Sequence, residues 1–185
     1  MSRLGAKGEG LARLQMSEVQ DLFREYHPRV YAYVRYRITD VSEAEDLTSD
    51  ILERALTYLA SFDARKGAFS TWLFRIAHNT WVNHVKRHQR RNPHHVDLGA
   101  GIDNLAANEP TPEQSMLHKE EIAQMLTCLG ALPSRQQEIL SLRFAGRLTN
   151  REIARVLDMN ERTVSVTILR ALRKLRQQLL EVDTR

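Results

Sequence analysis

Apolar positions return every third or fourth residue along most of the chain, the period of helices that bury one face. Leu22, Tyr26, Val30, Tyr33, Val34 and Ile38 form one stripe, and Leu47, Ile51, Ala55 and Leu59 a second. Ser42, with Glu45 three residues later, has the capping-box pattern and predicts a helix running to about Ser61. The segment FDARKG breaks the pattern, and Ser70 is the expected N-cap of a helix over Thr71–Arg90. Periodicity is then lost through RNPHHVDLGAGIDNLAANEPTP, where three prolines and two glycines mark a linker. It resumes near Pro112, with helices expected around Glu113–Leu129, Ser134–Phe144, Asn150–Leu157 and Glu161–Leu180. No strand alternation persists and no repeat is visible. The pattern predicts an all-α chain of two small helical domains, 17–91 and 112–185, joined by a flexible linker at 92–111 and preceded by a tail at 1–16.

Within the second domain, NREIARVLDMNERTVSVTILRA reads as a helix-turn-helix pivoting on Asp158-Met159-Asn160. Asp158 occupies the left-handed position that ends a helix, Asn160 caps the next one, and Ala154 is small enough to let the two cross closely. At 100° per residue Val164, Ile168, Ala171 and Leu175 share one narrow arc, the core stripe. The opposite arc carries Arg162, Ser165, Val166, Leu169, Arg170 and Arg173. Arginine can read guanine edges or neutralise phosphate, and Val and Leu can touch a thymine methyl. That arc is a candidate DNA reader.

Charge distribution adds a second and third surface. The net charge is only +4, but it is laid out in blocks. Thr39–Asp63 holds seven acids and one base, Ala64–Arg91 seven bases and no acid, Asp97–Glu121 six acids and one base, and Arg135–Gln178 ten bases and four acids. Two basic blocks suggest two contacts with a polyanion, and the acidic block before them a basic partner. On the helix after Ser70, Asn79, Asn83, Lys86, Arg87 and Arg90 share a face that can hydrogen-bond bases and hold phosphates. Phe69 and Trp72 at its start are candidate stacking surfaces for unpaired bases, while Phe74 and Trp81 are expected in the core. Asp46, Asp50 and Glu53 line one side of the acidic helix. No nucleophile with a base and no glycine-rich phosphate cradle accompanies them, so no enzyme activity is expected.

Other features narrow the class. The lone Cys128, set among Met125, Leu126 and Leu129, reads as a buried small hydrophobe. His84 and His88 stand one turn apart, but no cysteine or carboxylate adjoins them in sequence, and no metal or cofactor is expected. No apolar run reaches the roughly 18 residues of a membrane span. The first residues also lack the roughly 7–15 apolar residues of a signal peptide's core, so a cytoplasmic protein is expected.

Taken in order, three segments resemble the extracytoplasmic function sigma factors of bacterial RNA polymerase. LFREYHPRVYAYVRYRITDVSEAEDLTSDILERAL and FSTWLFRIAHNTWVNHVKR are similar to their region 2, and LPSRQQEILSLRFAGRLTNREIARVLDMNERTVSVTILRALRKLR to their region 4. The resemblance spans roughly Ser17–Gln178. It implies that Glu45, Asp46, Ser49, Asp50 and Glu53 dock on the clamp helices of the β′ subunit, with a further contact to the β flap. It implies that Asn79 and Asn83 read the −10 element beside Phe69, Trp72, Lys86, Arg87 and Arg90, and that the loop Phe62–Ser70 pockets a flipped base. The outward arc of the last helix then reads the −35 element, with Arg143, Thr149 and Arg151 near the DNA backbone. An anti-sigma factor is a common partner of the family. Ser165 stands where many members carry a basic residue after Thr-Val, and Ser49 where a glutamine is usual. A stand-alone helix-turn-helix regulator is the alternative reading of the same motif.

Overall fold

The structure, a computed structural model, describes residues 16–38, 40–91, 125 and 127–183. The tail before Met16, the linker at 92–111 and most of the helix expected over 113–129 lie outside the described residues; of that helix, 127–130 are helical and Cys128 is buried. Three long helices build the N-terminal half: α1 (Met16–Arg35), α2 (Val41–Tyr58) and α3 (Phe69–Arg91), with a short 3₁₀ turn at Leu59–Ser61. Val30, Tyr33 and Val34 of α1 meet Leu47, Ile51 and Ala55 of α2 and Leu73, Phe74 and Ala77 of α3 in one buried cluster.

Two helix starts differ from the sequence expectation. The N-cap of α2 is Asp40, whose carboxylate accepts from the Glu43 amide at 2.7 Å, and Ser42 lies exposed within the first turn. The acid at 40 reaches the free amide two residues earlier than Ser42 could, and its charge also suits the positive helix end. Ser70 does not cap α3. It is the second residue of that helix, buried, and its hydroxyl donates to Glu152 Oε1 at 2.8 Å.

The C-terminal half consists of α4 (Ser134–Phe144), α5 (Asn150–Val156) and α6 (Glu161–Asp183). Thr149 caps α5 with a full capping box to Glu152. Asp158 has φ 52°, and the Met159 amide donates to Ala154 O at 2.8 Å, the six-to-one bond of a Schellman turn. Asn160 Oδ1 then accepts from the Arg162 amide at 2.8 Å and opens α6. Val164 and Ala171 of the core stripe are fully buried, with Ile168 and Leu175 partly so. The turn is the one its residues predict.

The two halves are docked. A single cluster of buried side chains runs from α1, α2 and α3 into Ile139, Leu142, Leu148, Ile153 and Val164. Helix α4 is buried at six consecutive positions, Gln137–Leu142, because the first half covers one side and α5 and α6 cover the other. Gly146 permits a close approach. A Cβ there would lie 2.7 Å from Leu142 O and 3.1 Å from Phe74 Cε1 across the interface.

Candidate nucleic-acid interface

Three outward surfaces are fixed by this fold. On α2, burial of Leu47, Ile51 and Ala55 turns Glu45, Asp46, Ser49 and Glu53 to solvent, with Asp50 half-buried beside them. Asp50 is already paired, through Oδ1 to Arg54 Nε at 2.6 Å one turn on. On α3, burial of Phe74, Ala77 and Trp81 leaves Asn79, Asn83, Lys86, Arg87 and Arg90 together on the exposed side. On α6, Arg162, Ser165, Val166, Leu169, Arg170 and Arg173 are all exposed, Val166 by 39% and Leu169 by 49%. Those two apolar side chains therefore have no role in the core. Arg151 is exposed, and Asn150 Nδ2 donates to Ser165 Oγ at 2.9 Å, tying α5 to α6. Arg143 Nη1 donates to Leu148 O at 2.9 Å and so braces the turn before α5.

Phe69 and Trp72 sit differently from the polar members of their set. Both are half-buried in an aromatic cluster, with ring centroids 5.3 Å apart and 5.4 and 5.5 Å from Phe62. Tyr26 meets Phe69 edge-on at 5.1 Å. Edge-to-face packing of this kind holds the loop 62–69 against α1 and α3. The other half reaches this loop at one point: the Arg155 side chain lies 3.8 Å from where a Gly67 Cβ would stand, and Arg75 of α3 donates to Arg155 O.

A polar hub at the docking interface was not visible in the sequence. Glu138 Oε1 accepts from the Tyr33 hydroxyl at 2.9 Å, pairs with Arg37 Nη2 at 3.2 Å and lies 3.1 Å from His78 Nδ1. The Arg37 side chain is 2% exposed; it also donates to Ser141 Oγ and lies over the Tyr33 and Trp81 rings at 4.1 and 5.2 Å. Burial alone would push the Glu138 carboxyl up, but the Arg37 guanidinium, then His78 and Tyr33, hold it down at about 2. Burial raises the Tyr33 phenol and keeps it a neutral donor. A second, smaller tie is Ser70 to Glu152. Burial there works to raise the carboxyl, while the Thr149 amide and the Ser70 and Thr149 hydroxyls overcome it and lower it. The partners lie 60 to 105 residues apart, so no local spacing encodes them.

The carboxylate absent from the sequence neighbourhood of His84 and His88 is supplied by Glu43, from the first turn of α2. Among the described residues no helix is long and apolar enough to cross a membrane.

Comparison with known proteins converges on one family. Residues 22–91 match sigma-70 region 2 and residues 122–175 match sigma-70 region 4. The ECF RNA polymerase sigma factor BldN of Streptomyces coelicolor is 36% identical over 89% of this chain, which spans 61% of that relative's length. SigK of Mycobacterium tuberculosis is 29% identical over 96% of both chains. In three dimensions, the sigma factor RpoE of Bartonella quintana, solved with the anti-sigma factor NepR, superposes with a TM-score of 0.71 at 18% identity, covering 89% of this chain and 98% of that one. The chain belongs to the extracytoplasmic function family of RNA polymerase sigma factors, the subunits that direct the polymerase to promoters.

Proposed function

We propose that this chain joins core RNA polymerase in the cytoplasm and reads both promoter elements, its two functional units being 17–91 and 112–185. The carrying observation is that one fold exposes three separate faces of the required chemistry. The acidic face of α2, from Glu45 to Glu53, suits the basic clamp helices of β′, with the C-terminal half on the β flap. The asparagines and cations of α3 suit the −10 element, and the loop 62–69 an unstacked base. The arc from Arg162 to Arg173 suits the −35 element, and Arg143, Thr149 and Arg151 are the candidates for its backbone. Val166 and Leu169 are exposed beside arginines, which fits contact with thymine methyls.

Geometry adds a step. A compact body of about 130 residues, the number described, has a radius of gyration of about 14 Å, hence a diameter of about 36 Å. Elements centred about 25 base pairs apart lie about 85 Å apart along the duplex. The docked chain cannot span both, and Arg155 also reaches Gly67 in the loop meant for the flipped base. The halves therefore separate on the polymerase. The roughly 30 residues between the two family matches, fully extended, reach about 100 Å, enough for that separation. An anti-sigma factor, such as the one solved with RpoE, would hold the chain from this step.

Co-purification with core polymerase followed by promoter-dependent run-off transcription tests the reading. Micromolar binding to core and a promoter-specific transcript are expected. Failure to bind core overturns it.

A further inference from the structure

Glu43, His84 and His88 point one ligand atom each into a common space between the start of α2 and the second half of α3. Glu43 Oε1 lies 3.0 Å from His84 Nε2 and 3.2 Å from His88 Nε2. A tetrahedral ion with bonds of about 2.0–2.1 Å holds its ligand atoms about 3.3 Å apart. Two of the three spacings are thus within a few tenths of an ångström of a metal-ready arrangement, and small side-chain rotations complete it. The third atom pair lies within 4.8 Å.

Glu43 stands in the first turn of α2, where its backbone amide donates to Asp40 Oδ1 at 2.7 Å. The His84 ring stacks on Trp81, centroids 5.9 Å apart, and Trp81 is buried against Arg37. His88 lies one helical turn on, its ring 4.3 Å from that of His84. Side-chain exposures of 36%, 21% and 50% leave the space open to an incoming ion and to a water as fourth ligand.

We propose that Glu43, His84 and His88 form a binding site for a borderline divalent transition ion, Zn²⁺ above all. Two imidazoles and one carboxylate suit zinc, nickel, cobalt or copper, and disfavour magnesium and calcium, which take oxygen ligands. The bound ion clips α3 to α2, so it sets the helix carrying Asn83 and Arg87 against the acidic helix. With no nucleophile placed beside it, the site positions helices and performs no chemistry. The inference does not depend on the promoter reading.

Titration of the untagged full chain with ZnCl₂ tests it. One ion per chain is expected, with a dissociation constant on the order of micromolar or tighter. Glu43→Gln, His84→Ala and His88→Ala are each expected to weaken binding by at least about tenfold. Far-ultraviolet circular dichroism checks that each variant keeps its helices. MgCl₂ is expected to give no binding. With Co²⁺, visible absorption of a four-coordinate ion is expected and is lost in His84→Ala/His88→Ala. Zinc binding that survives in that double variant, or no binding by the intact chain, overturns the site.

Discussion

Helices α3 and α6 both turn arginines to solvent, yet α3 rests its first turns beneath α5 while the outward arc of α6 is exposed and, among the described residues, meets α5 at Ser165 alone. Ser70 and Arg75 of α3 are tied to Glu152 and Arg155 of α5, and Phe74 is pressed against Gly146. No tie of that kind covers Arg162, Val166, Leu169 or Arg173 among the described residues. The start of α3 therefore meets the second half of the chain when the halves are docked, while Asn79, Asn83, Lys86, Arg87 and Arg90 further along it and the outward arc of α6 stay exposed. The contrast rests on where the buried polar contacts lie.

Glu138→Ala breaks that contrast most strongly. It strands the Arg37 guanidinium, 2% exposed, without its carboxylate. Losing one member of a buried pair costs about 3–5 kcal/mol, here charged to the docked state. Urea denaturation is expected to show the loss, and hydrogen exchange to show α3's first turns opening while α6 is unchanged. A loss under about 1 kcal/mol contradicts the hub's role. The same carboxyl sets an acid limit. Its docked pKa, about 2, lies below its ordinary 4.5, so its contribution is full above pH 4.5 and is lost as pH falls toward 2. Docking measured by exchange is expected to weaken through that window, and Glu138→Gln to flatten the profile.

Gly146→Ala comes next. Its Cβ would sit 2.7 Å from Leu142 O, and the turn must shift against Phe74. Overpacking of this kind costs about 1–3 kcal/mol, expected as a lower thermal midpoint. On the open side, Arg173→Ala and Leu169→Ala are expected to weaken −35 binding by about 1–3 kcal/mol per lost base contact, read by fluorescence anisotropy, with the midpoint unmoved. A shifted midpoint would place those side chains in the core. The smallest effect is expected from Arg54→Ala, whose pair with Asp50 joins two side chains each 39% exposed. Stability is expected to change by about 0.3–0.5 kcal/mol, while polymerase binding holds or tightens as Asp50 is freed.

The sequence carried the helix-turn-helix almost whole, because Thr149, Asp158, Asn160 and the Val164 stripe act through neighbours a few residues away. The three exposed faces were legible for the same reason: each is one side of one helix. Helix starts were less so. Ser42 and Ser70 are good caps in isolation, but Asp40 reached the free amide first, and Ser70 was drawn to Glu152, 82 residues on. The docking interface was not legible at all. Arg37 and Glu138 look like solvated charges on helix surfaces, and Gln137 and Ser141 like an exposed face, until a second half of the chain covers them. Glu43 likewise became a neighbour of His84 only through the packing of α2 on α3.

Separation of the halves on polymerase is the step on which the account turns. It can be measured by single-pair energy transfer between dyes on the exposed faces of α3 and α6, with the buried Cys128 replaced by alanine. Dyes within about 40 Å are expected in the free chain, and about 85 Å apart on core polymerase with promoter DNA. An unchanged short distance in a complex that still makes the run-off transcript would contradict it.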